Sequence, residues 1–130
     1  MDIGDRFQRA DWKAEKHVPV IDCPGEVKAG ENFKINLMIG KEIAHPNTTE
    51  HHIRWVALYF APADEKFTYE IGRFEFNAHG EAVAGANEGP VYTHHAVDCW
   101  AMLKKPGTLI ATSLCNIHGL WESSIDIQVS

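Results

Sequence analysis

Apolar and polar residues alternate through one stretch of this chain: Phe33, Ile35, Leu37 and Ile39 interleave with Lys34, Asn36 and Met38. A period of two is the signature of a strand with one buried face. Upstream, Pro19 excludes a helix interior, and Val18, Val20 and Ile21 favour an extended path. Ala29 to Asn32 supplies a turn between these segments. His52 to Phe60 is nearly continuous in apolar residues and predicts a strand covered on both faces. Thr68–Asn77, Val91–Met102, Thr108–Leu114 and the alternating run Trp121, Ser123, Ile125, Ile127, Val129 complete the strand pattern.

The connections are equally legible. Gly40 to Glu50 reads as a loop around His45-Pro46-Asn47, Pro62 to Lys66 as a turn, and Ala78 to Pro90 as a glycine-rich connection. Lys104-Lys105-Pro106-Gly107 predicts a type II turn, with proline followed by glycine. With about seven strands and no long helix, the pattern predicts an all-β, antiparallel, immunoglobulin-like sandwich. Its domain is expected over residues 13–130, preceded by a short N-terminal arm or helix over 1–12, with Ile3, Phe7 and Trp12 as its anchors. Cys23, Trp55 and Cys99 imitate the order found in antibody domains. The tryptophan lies too far from the first cysteine, however, and Val97 stands where a corner tyrosine belongs, so no disulfide is expected.

Composition narrows the partners. The 130 residues are enough for one self-supporting core. A formal charge of -6, from 12 Lys and Arg against 18 Asp and Glu, argues against nucleic acid, which demands a basic face. No apolar run approaches the roughly 20 residues of a membrane span, and the N-terminus is unlike a signal peptide. A cytoplasmic protein is therefore expected. The three cysteines are widely spaced with no CxxC, in keeping with that expectation. Asn47-Thr48-Thr49 matches a glycosylation sequon, which has little weight without a secretory signal.

The chemistry begins at Cys115-Asn116-Ile117-His118-Gly119, a thiol and an imidazole where a strand runs into a turn. Such a pair can converge on one metal ion. Alone, Cys-x-x-His is ordinary in small domains. Eight histidines in this chain are an enrichment, and their placement matters more than their number. His17 precedes a strand, while His45 and the adjacent His51 and His52 flank the proline-containing loop. Loops at the ends of a rigid sheet are where ligands can be aimed. His51 and His52 should point to opposite sides, and periodicity does not choose between them. His94 and His95 are read as neighbours within a strand, one facing solvent and one a hydrogen-bond partner; His79-Gly80 reads as turn chemistry, and Cys23 and Cys99 as small core residues.

Three segments, Glu15-Lys16-His17-Val18-Pro19, His45-Pro46-Asn47-Thr48-Thr49-Glu50-His51-His52-Ile53 and Cys115-Asn116-Ile117-His118-Gly119, resemble the signature of the superoxide reductases, the neelaredoxin and desulfoferrodoxin family. The likeness runs from about residue 13 to the C-terminus. It implies one non-haem iron (Fe2+/Fe3+) per chain, held by four equatorial imidazoles, His17, His45, His51 and His118, with Cys115 as the axial thiolate. Glu15 matches the family carboxylate that takes the sixth position in the oxidised state, and Lys16 matches the catalytic lysine. The implied reaction is the one-electron reduction of superoxide to hydrogen peroxide. Lacking a four-cysteine module ahead of the sandwich, the chain resembles the single-iron class. Electrons are then expected from a partner, which the resemblance implies is rubredoxin, and the protein is expected to be a homo-oligomer with Phe7 and Trp12 as interface residues.

The residue chemistry points the same way. Five protein ligands exceed the four that structural zinc takes, whereas imidazoles with a thiolate suit iron and leave one position open. Neutral imidazoles and one thiolate leave ferrous iron with a net charge of about +1, a positive target for an anion on an acidic protein. The rival is a blue-copper electron-transfer sandwich, which also joins a C-terminal Cys and His to an upstream His. That site wants a methionine soon after the last histidine, and the final methionine here, Met102, precedes Cys115.

Overall fold

The computed structural model describes residues 1–130. Eight strands follow a short 3-10 turn at Ile3–Arg6: β1 (Pro19–Asp22), β2 (Glu26–Val27), β3 (Asn32–Ile39), β4 (Ile53–Pro62), β5 (Tyr69–Glu75), β6 (Ala96–Met102), β7 (Gly107–Cys115) and β8 (Gly119–Val129). They form two sheets, β1-β3-β6 and β2-β8-β7-β4-β5. Every strand pairing is antiparallel except the two-residue parallel contact of β2 with β8.

The alternation in β3 becomes its burial pattern: Phe33, Ile35, Leu37 and Ile39 face inward. Opposite them, β4 contributes Val56, Leu58 and Phe60, β7 contributes Leu109 and Ala111, and β8 contributes Ile127. Val56, Ala57 and Leu58 are all buried in succession: Val56 and Leu58 face the core, while on the other face Ala57 is enclosed between the half-buried Trp55 and Tyr59. Each large apolar side chain enclosed this way is worth about 1.5–3 kcal/mol. The core is therefore built without the candidate metal-binding residues, apart from Cys115 at its edge.

Three local expectations are corrected. The strand predicted from Val91 starts only at Ala96, so His94 and His95 lie in the approach to β6 rather than within it. Ile3 is 67% exposed and anchors nothing, whereas Phe7 and Trp12 are half-buried. The arm is instead tied down at Gln8, whose N–H donates to Leu120 O at 3.0 Å and whose carbonyl accepts from Glu122 N at 2.9 Å. Gly107 does not adopt the left-handed conformation that a type II turn requires. Its glycine is needed for space, since a Cβ there would collide with Ala61 O.

All three cysteines are free. Ile35 of β3 pairs with Cys99, while Cys23 follows Asp22, the partner of Asn36. A whole strand thus separates the two thiols. Two strand spacings, about 9.5 Å, are beyond the reach of a disulfide. Burial raises both thiols above their ordinary pKa, in keeping with inert core-edge residues.

Topology also gathers the signature segments. β4 starts where β7 ends, with Ile53 paired to Cys115, and β1 starts beside the end of β3, with Pro19 paired to Ile39. The loop before β1, the loop between β3 and β4 and the β7–β8 turn consequently meet at one end of the sandwich. Gly40 (φ 78°) folds the β3–β4 loop back so tightly that a Cβ there would lie 2.6 Å from His45 N. Gly119 (φ 80°) closes the β7–β8 turn.

Candidate metal centre

His17, His45, His51 and Cys115 each bring a donor atom into one cluster, in which those atoms all lie within 4.8 Å of one another. His118 is outside that mutually close set but abuts it. Its Nδ1 is 3.1 Å from His17 Nε2, 3.2 Å from His51 Nε2 and 3.7 Å from Cys115 Sγ. His17, His45 and Cys115 are buried, His51 is half-buried, and His118 is exposed at the mouth.

Two of the imidazoles are locked in the tautomer a metal requires. His45 Nδ1 sits 2.6 Å from Pro46 O, and a carbonyl can only accept, so Nδ1 carries the proton and Nε2 is bare. That Nε2 is buried without any hydrogen-bond partner. His17 Nδ1 lies 2.7 Å from Glu15 Oε1, which accepts its proton in the same way and turns His17 Nε2 toward the cluster. Burial, helped by the neighbouring imidazoles and opposed by the Pro46 carbonyl, lowers the His45 pKa to about 4. Burial also lowers the His51 pKa, with His118, His17 and Lys16 adding to the effect. Both rings are therefore neutral and ready to ligate at neutral pH.

Hydrogen bonding among the side chains does not account for this arrangement. One ring nitrogen, His118 Nδ1, faces three neighbours but has a single in-plane site. A proton on His118 Nδ1 can serve only one of these neighbours, so the other close approaches are left without a hydrogen bond, as expected where a cation would sit among the donors. Two nitrogens at right angles around a metal, with bonds of about 2.1 Å, would sit about 3.0 Å apart. The observed separations of 3.1 and 3.2 Å match that spacing. Four nitrogens and one sulfur exceed a zinc tetrahedron and fit the softness range of iron.

The surroundings hold these donors in place. His118 N–H donates to Cys115 Sγ at 3.4 Å, a bond that draws electron density from the sulfur. Asn116 Oδ1 accepts from His52 N at 2.9 Å, and its Nδ2 donates to Glu50 O at 2.9 Å, joining the Cys115 turn to the histidine loop. Trp121 stacks on His17, with ring centroids 4.9 Å apart and 15° between planes, and its Nε1 donates to His118 O at 3.2 Å. The alternation of β8 assigns Trp121 only to a strand; its position three residues beyond His118 is the one local signal of a role at the site.

Glu15 accepts twice, from His17 N at 2.9 Å and from His17 Nδ1 at 2.7 Å. Burial acts to raise its pKa, yet the bonds from His17 together bring it below the ordinary carboxylate value. Lys16 is half-buried between these two residues, and its charge is felt at His51.

The remaining histidines lie apart from the donor cluster. His52 lies outside the cluster: its Nδ1 donates to Thr48 O at 2.9 Å, and its ring stacks on His79 at 3.5 Å with 6° between planes. His94 is exposed. His95 is 4% exposed and lacks the hydrogen-bond partner expected at its Nδ1. Its ring packs edge-to-face against His45, with centroids 5.7 Å apart.

The family model of desulfoferrodoxin matches residues 9–124. The chain is 60% identical over 124 residues to neelaredoxin from Megalodesulfovibrio gigas, covering 95% of each protein. It is 51% identical over 126 residues to the superoxide reductase of Pyrococcus furiosus, covering 97% of this chain and 99% of that one. The solved structure of the superoxide reductase (neelaredoxin) of Archaeoglobus fulgidus in its reduced form superposes with a TM-score of 0.87 at 48% identity, covering 94% and 98% of the two chains. With the donor set, the sandwich and these likenesses in agreement, the chain belongs to the desulfoferrodoxin family.

Proposed function

We infer that this chain is a superoxide reductase, converting superoxide to hydrogen peroxide with one electron and two protons. The observation that carries the inference is the convergence of four imidazole nitrogens and one cysteine sulfur, with His17 and His45 held in the metal-ready tautomer. His17, His45, His51, His118 and Cys115 are assigned as the residues that would hold the iron. Iron held there would alternate between Fe2+ and Fe3+ and so supply the single electron.

The chain's own residues do the rest. The Lys16 ammonium attracts the superoxide anion to the mouth and can order a water that donates protons to the departing peroxide. With iron bound, the thiolate of Cys115 would supply it with electron density, and the His118 N–H would moderate that donation. Glu15 keeps the His17 Nδ1 proton in place. In this reading it would also hold the oxidised iron, and to do so its carboxylate has to leave His17, because it lies on the Nδ1 side of the ring and outside the donor cluster. Residues 13–130 form the iron-binding unit and residues 1–12 an arm upon it.

Electrons come in this reading from a separate one-electron carrier, rubredoxin. A cytoplasmic setting and a homo-oligomer complete the proposal; no helix is long and apolar enough to cross a membrane. Trp100, 66% exposed on β6, offers a larger apolar contact to a second copy than the half-buried Phe7 and Trp12 do.

Metal analysis of protein reconstituted with ferrous iron under anaerobic conditions tests the ligand set. One iron per chain is expected. Stoichiometric copper in the protein as isolated, or no retained iron, would contradict it.

A further inference from the structure

The segment that carries His45 and His51 contains no strand or helix, so its shape has to be imposed by its neighbours. Part of the restraint is internal: Thr48 N donates to His51 O at 2.9 Å and Thr48 Oγ1 accepts from His51 N at 3.0 Å. The rest comes from the glycine-rich connection between β5 and β6, and it is concentrated on one residue. Asn87 Oδ1 accepts from Thr49 N at 2.9 Å, and Asn87 N donates to Thr49 Oγ1 at 3.0 Å. Asn87 Nδ2 donates to both oxygens of Glu50, at 3.0 and 2.8 Å. The Thr49 hydroxyl in turn donates to His79 O at 2.6 Å.

Asn87 does this in a disfavoured backbone conformation. It is the only non-glycine residue with positive φ, at 62°. Asparagine tolerates that region better than most residues, at a cost glycine would avoid. Asn87 is exposed, so packing does not explain the choice. Its side chain is occupied instead with the two residues directly before His51.

We propose that Asn87 is a positioning residue for the iron centre, a clamp that fixes the Thr49-Glu50 backbone and thereby aims His51 at the metal. The proposal rests on the reading of His51 as an iron ligand. The carboxamide is matched to its task, because one end must accept from an amide and the other must donate to a carboxylate. Asparagine meets both requirements, whereas aspartate meets only the first.

The test compares Asn87→Gly, Asn87→Asp and the double variant Asn87→Asp/Glu50→Gln. Ferrous and cobaltous ions are titrated into each apoprotein against a chelator, with circular dichroism to confirm the fold. Asn87→Gly suits the backbone conformation and is expected to fold like the parent while binding both ions about 10–100-fold more weakly. Asn87→Asp is expected to lose at least as much, since its carboxylate faces Glu50. In the double variant donor and acceptor trade places, an amide at position 50 donating to a carboxylate at position 87. Its affinity is expected to return to within about threefold of the parent, as coupled neighbours do. Parental affinity in Asn87→Gly, or a folded double variant no better than Asn87→Asp, overturns the proposal. His51→Ala measured alongside separates the two assignments. If it too binds metal at parental affinity, the ligand reading fails and the clamp with it.

Discussion

Cys115→Ser is expected to abolish the sulfur-to-iron absorption of the oxidised protein and to lower the rate of superoxide reduction by about 100-fold or more. The side chain is 1% exposed, at the end of β7 where the strand meets the turn, and serine fits the space it leaves. What serine does not reproduce is a soft, negatively charged donor at neutral pH. The His118 N–H, 3.4 Å from the sulfur, would face a neutral hydroxyl instead. Because most of the core lies between the sheets, circular dichroism should remain that of the parent. A visible band unchanged in position and intensity would remove Cys115 from the ligand set.

Lys16→Ala acts on capture rather than on the metal. The protein carries a formal charge of -6, so at long range it repels superoxide. In the proposed role, Lys16 at the mouth would convert that field locally to an attractive one. Its loss should slow the second-order reaction about threefold to tenfold at low ionic strength, with the difference shrinking as salt screens the charge. The absorption of the oxidised iron should not change. Stopped-flow measurements across a salt series would read both effects, and a parental rate with a parental salt slope would return Lys16 to an ordinary surface residue.

Much of this site is legible in the order of residues alone, for a physical reason. Strand periodicity places chain segments on sheets, and β3 and β4 follow it closely. The ends of those strands then fix where the loops must lie, so His17, His45, His51, Cys115 and His118 meet because β1, β4 and β7 begin or end at the same edge. The separation of His51 from His52 is what a strand entrance leads one to expect, although both residues lie just before β4 begins at Ile53. Choosing His51 as the ligand needs the family resemblance.

What local pattern does not disclose is of another kind. The His94-His95 segment lies next to the β-branched and aromatic run of β6, and composition cannot reveal that pairing with β3 begins only at Ala96 and Met38. The Trp121–His17 stack, the Asn87 clamp and the crowding of Gly107 against Ala61 are contacts between residues far apart in the chain. No short window of residues contains both partners. Glycine and asparagine in a loop announce a turn, but not whether the reason is conformation, space or a hydrogen bond.

The central claim is that the site reduces superoxide without oxidising it. Mixing the ferrous protein with superoxide and quantifying both products tests this most directly. One hydrogen peroxide is expected for each iron oxidised, with no oxygen beyond that of spontaneous decay. Oxygen formed together with peroxide in equal amounts, catalysed by the protein, would show dismutation and contradict the claim.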